Sequence, residues 1–75
     1  MDPYSYNTEV GAHVSSIRLD DSFVEVSLEI RGNRKVCRST DLFIIKHIED
    51  MGIFVGERVR LLYTSNEHWN LSKYQ

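Results

Sequence analysis

A chain of 75 residues and 8.8 kDa, 41% hydrophobic and 11% aromatic, has material for one small domain and not for two. Nine Lys and Arg stand against eleven Asp and Glu, a formal charge of −2, which excludes a generic nucleic-acid coater and equally a polyacidic mimic of DNA. The lone cysteine, Cys37, excludes an internal disulfide, and no apolar run approaches the roughly 20 residues of a membrane span.

A chain this short buries only about 60% of its unfolded surface. One thin core is expected, and a partner chain is a natural source of added stability. The charge falls in blocks: Asp20, Asp21, Glu25 and Glu29 are all acidic, and Arg31, Arg34, Lys35 and Arg38 are all basic. The segment from Asp41 to Glu57 is acidic again, and the remainder is basic.

Residues 1–8 are polar and turn-prone around Pro3 and Asn7 and read as a flexible tail. They lack the basic start and apolar stretch of a signal peptide. With a single thiol, the expected location is a reducing compartment, the cytoplasm. Residues 9–75 then form the single domain.

From Glu9 to Leu19 apolar residues alternate and then slip: Val10, Ala12 and Val14 share one parity, Ile17 and Leu19 the other. A strand with a one-residue irregularity near Ser15-Ser16 explains the change. Asp20-Asp21-Ser22 is a turn. Phe23 to Ile30 is a strand with Val24, Val26, Leu28 and Ile30 on one face. Arg31 to Arg34 reads as a hairpin turn around Gly32-Asn33, with Gly32 at positive φ, and Arg34 to Arg38 returns. The register stays open. Strict two-residue pairing puts Val36 opposite Glu29, and a longer loop pairs it with Ile30.

A helix starts after Ser39-Thr40, either of which can cap it, with Asp41 at the positive end of the dipole. Leu42, Ile45 and Ile48 form its apolar stripe, widened by Phe43, Ile44 and Met51. Gly52 ends it as a left-handed cap. Val59, Leu61 and Tyr63 point inward from the next strand, Arg58 to Thr64. After a turn at Thr64 to Glu67, His68 to Tyr74 closes the chain with Trp69 and Leu71 on one face. The order is β-β-β-α-β-β. The fold class is α+β: a small, twisted antiparallel sheet or SH3-like half-barrel with one helix. Val26, Leu28, Ile45, Ile48, Val59 and Leu61 are its expected core.

The run Ile48-Glu49-Asp50-Met51-Gly52-Ile53-Phe54-Val55-Gly56-Glu57-Arg58-Val59-Arg60-Leu61 resembles one motif of the FeoA-type SH3-like domains. There a short helix ends in Met-Gly-aliphatic, followed by a glycine and a strand. The resemblance implies a small SH3-like barrel. That family places a further hairpin after this strand, whereas here a hairpin precedes the helix, so no family is assigned.

Little in the chain suits catalysis. His13, His47 and His68 lack the paired spacings of a zinc site. Cys37 has Lys35 and Arg38 beside it, charges that favour a thiolate, but no histidine is placed to activate it. Asp20-Asp21 and Glu49-Asp50 are sequence neighbours whose side chains diverge. Gly32, Gly52 and Gly56 serve turns and caps and not a phosphate loop. The expectation is a non-enzyme with no cofactor and no metal. Two surfaces remain. Phe43, Ile44 and His47 on the helix read as a site for a protein partner or a second copy. The basic hairpin of Arg31, Arg34, Lys35 and Arg38 reads alternatively as a nucleic-acid contact, with Trp69, and beside it Tyr63 and Tyr74, as stacking faces. Glu25 and Glu29 lie across the ladder and compete for these bases.

Overall fold

The computed structural model describes residues 8–65 and 68–74. Five strands and one helix follow the expected order: β1 (Thr8–Asp20), β2 (Phe23–Ile30), β3 (Asn33–Ser39), α1 (Leu42–Met51), β4 (Arg58–Ser65) and β5 (His68–Lys73). They form one antiparallel sheet in the spatial order β3-β2-β1-β4-β5. The expected tail lies outside the described residues apart from Thr8, which opens β1. β4 runs through Ser65, into the turn expected at Thr64 to Glu67, and residues 66 and 67 lie outside the described residues too.

β1 is the spine. Its first half pairs with β4, from Thr8 opposite Tyr63 to His13 opposite Arg58. Its second half pairs with β2, with a register shift between Val14 and Ser16. That shift is the irregularity read from the change of parity: an extra residue bends a strand and lets it serve two partners. The backbone completes the handover. Val14 N–H donates to Glu57 O at 2.9 Å, and Gly56 N–H donates to Val14 O at 2.7 Å.

The β2–β3 hairpin takes neither of the registers left open. Its two-residue turn is Arg31-Gly32, with Ile30 opposite Asn33 and Ser27 opposite Val36. Both turn residues have positive φ, 52° and 82°, the type I′ geometry whose twist matches the flanking strands. Charge explains the two-residue slide. This register sets Glu25 opposite Arg38 and Glu29 opposite Arg34, whereas a Gly32-Asn33 turn would have set Arg31 against Arg34. Directly opposed unlike charges stabilise a ladder and like charges weaken it. The slide preserves parity, so Cys37 stays on the core face opposite Val26.

The helix is capped by Asp41 and not by Ser39 or Thr40. The Asp41 carboxylate accepts from Phe43 N–H at 2.8 Å, and Ser39 Oγ accepts from Asp41 N–H at 3.0 Å. Gly52 ends the helix at φ 62°, ψ 38°, with its N–H on Glu49 O, as the pattern requires. α1 packs against β2 and β5, and His47 Nε2–H donates to Leu71 O at 2.8 Å.

Val24, Val26, Leu28, Val59 and Leu61 are wholly buried, and Ile45 and Ile48 cover them from the helix. The two sheet edges roll toward each other without pairing. Trp69 Nε1–H on β5 crosses to Arg38 O on β3 at 2.8 Å. The sheet is therefore an open half-barrel, with a seam between β3 and β5 in place of a closing ladder.

Candidate interaction surfaces

The helix presents a different face from the one its stripe suggests. Phe43 is 86% exposed and Leu42 69%. Ile44 packs against the core, and His47 is half-buried and spends a ring nitrogen on the Leu71 carbonyl. Of the three helix residues read as a partner site, only Phe43 stands clear of the domain. Leu42, read as part of the apolar stripe, stands beside it. It is the first residue after the Asp41 cap, and it borders a shallow hollow with Asp20, Asp21 and Glu49. Spacing alone does not reveal this exposure, because a stripe shows which residues share a face and not which of them the rest of the domain covers. Phe54 and Val55 are also largely exposed, on the tight turn before β4.

The basic hairpin is half engaged. Arg38 Nε lies 2.8 Å from Glu25 Oε1. Lys35 reaches across the seam to sit 4.0 Å from the Tyr63 ring centre. Arg31 and Arg34, at the tip, make no ion pair among the described residues and are exposed. The aromatic side chains expected to stack on bases are already in use. Trp69 is 3% exposed and its indole N–H is committed to Arg38, so it offers no free face. Tyr74 is covered by Arg58 and Arg60, whose guanidinium carbons lie 4.4 and 4.8 Å from its ring centre.

Along the seam runs a cleft of about 280 Å³, lined by Lys35, Val36, Cys37, Arg38, Tyr63 and Trp69. This is below the roughly 300–1,000 Å³ of ordinary small-molecule pockets. Cys37 faces it from within the core. Burial pushes its thiol up to about 11, against the smaller opposing effect of Lys35, so the positive neighbours do not make it a thiolate. No group of three or more His, Cys, Asp or Glu among the described residues is placed to hold a metal ion, and no helix among them is long and apolar enough to cross a membrane.

No protein-family model, curated protein or solved structure matches the chain. The likeness to FeoA-type domains therefore remains local: a helix stopped at Gly52, a turn with Gly56 at φ 94°, and a strand from Arg58.

Proposed function

We propose that the chain is a small non-enzymatic binding protein of the cytoplasm that works through protein–protein contact, with Leu42 and Phe43 at the centre of the contact. The observation that carries this reading is the 86% exposure of Phe43 in the first turn of a capped helix. The ring does nothing for the fold, and covering it in a complex would contribute about 1.5–3 kcal/mol. Either a second copy or a different protein would supply the cover. Sedimentation velocity across about three decades of concentration, anchored on the relation between exposed patches and association, separates the two. A rise toward dimer that Phe43→Ser reverses assigns the surface to a second copy, and a constant monomer removes a second copy as the cover. A dimer that Phe43→Ser leaves intact would move the contact elsewhere.

The second reading, nucleic-acid contact through residues 31–38, is favoured by one observation: Arg31 and Arg34 sit exposed and without ion pairs among the described residues. Phosphate contacts of this kind weaken steeply with salt. Titration of a single-stranded oligonucleotide at low salt tests it, and no binding at high micromolar protein removes it.

A further inference from the structure

β3 is an outer strand of the sheet, and its far side faces the seam. Arg38 O points out of the sheet, since it accepts from Trp69 across the gap. In a strand the N–H and C=O of one residue point to the same side, and residues two apart repeat the direction. Arg34 and Val36 therefore also turn their N–H and C=O outward, away from β2. Trp69 bonds across the seam at Arg38, and the cleft it lines runs on past Val36 to Lys35. Toward the hairpin tip the backbone of Arg34 and Val36 has no outer partner among the described residues.

We propose that this edge accepts an extended acidic peptide as an added strand. Open strand edges recruit peptides by main-chain hydrogen bonds, with alternate side chains setting specificity. The outward face of β3 carries Arg34, Val36 and Arg38, with Val36 38% exposed. A strand laid beside Arg34 and Val36 places its own alternate residues against these two, so the matching pattern is an aliphatic residue with an acid two positions away, Arg38 being already paired with Glu25 and its carbonyl with Trp69. Arg31 adds a further positive charge at the tip.

Charge also selects against the other occupants. A second copy pairing its β3 antiparallel about Val36 would set Arg34 against Arg38 of the other chain, like charge on like. A nucleic-acid strand would use the arginines but leave the backbone groups unpaired, and Trp69 has no face to stack on it. This site is separate from Leu42 and Phe43, so either stands if the other fails.

The test is a titration of the ¹⁵N-labelled chain with a capped peptide, Thr-Glu-Thr-Val-Thr-Glu-Thr, read by amide hydrogen exchange. The amides of Arg34 and Val36 exchange rapidly in the free protein and become protected on binding. Val36→Pro removes an outward N–H without touching the β2 ladder and abolishes binding. Arg34→Gln, which removes the charge without setting a like charge opposite Glu29, weakens it by about tenfold. Phe43→Ser leaves it unchanged. The proposal is overturned by absence of binding at millimolar peptide, or by binding that leaves the Arg34 and Val36 amides unprotected. It is equally overturned if a single-stranded oligonucleotide binds the same residues and the peptide does not.

Discussion

Replacing Trp69 with Phe removes the one described hydrogen bond that joins the two edges of the sheet, Trp69 Nε1–H to Arg38 O. The cost has two parts. A net hydrogen bond is worth about 0.5–1.5 kcal/mol. A smaller ring in a site that is 3% exposed leaves a void costing on the order of 1 kcal/mol more. The sum is about 2 kcal/mol. For 75 residues, typical total stability is roughly 4–11 kcal/mol, so the variant still folds but melts about 8–16 °C lower. Trp69 is the sole tryptophan, so unfolding of both proteins is followed by far-ultraviolet circular dichroism in urea. The wild-type emission independently reports a buried indole by its blue-shifted maximum. A loss below about 0.5 kcal/mol at unchanged m-value would refute the idea that this contact holds the rolled sheet together.

Arg31→Asn should raise stability by about 0.5–1 kcal/mol, because Arg31 holds φ 52° in a type I′ turn that Asn-Gly suits, and Arg31 makes no ion pair among the described residues to lose. A lower urea midpoint would mean the turn is not strained. Cys37 should make the fold less stable at high pH. Its folded value is about 11 against an ordinary 9.0, so its contribution is fully present below pH 9 and is lost as pH rises from 9 to 11, when the unfolded chain ionises first. The loss is roughly 2–3 kcal/mol. It is measured as the difference in pH dependence between wild type and Cys37→Ala, which subtracts the tyrosines and lysines; identical curves would contradict it.

Much of the fold is legible in local pattern. The change of parity between Val14 and Ile17 marks the bend of β1, and the end of the helical stripe at Gly52 marks a left-handed cap. Both are signals carried by a few neighbouring residues. The β2–β3 register was less accessible because Gly32-Asn33 is a good turn in isolation. The Glu25–Arg38 ion pair and the placing of Glu29 opposite Arg34, which overrule it, join residues a strand apart. The exposed face of the helix is hidden from the sequence for a similar reason. Leu42 and Ile45 share a stripe, but Ile45 is buried and Leu42 is exposed. The seam is a property of strand order alone, and no short stretch of residues announces that β3 and β5 are the two edges.

The most direct test of the proposed contact surface is crosslinking from position 43 in the expressing cell. Phe43 is replaced by benzoylphenylalanine, which keeps an aromatic side chain at a site 86% exposed, and the exposed Ser15 on the β1 bulge is replaced in a control. Illumination should give discrete adducts from position 43 and none from position 15, at twice the chain mass for a second copy or at another fixed mass for a different protein. The absence of any discrete adduct at position 43, or the same adducts from both positions, would contradict a protein-binding role for Leu42 and Phe43.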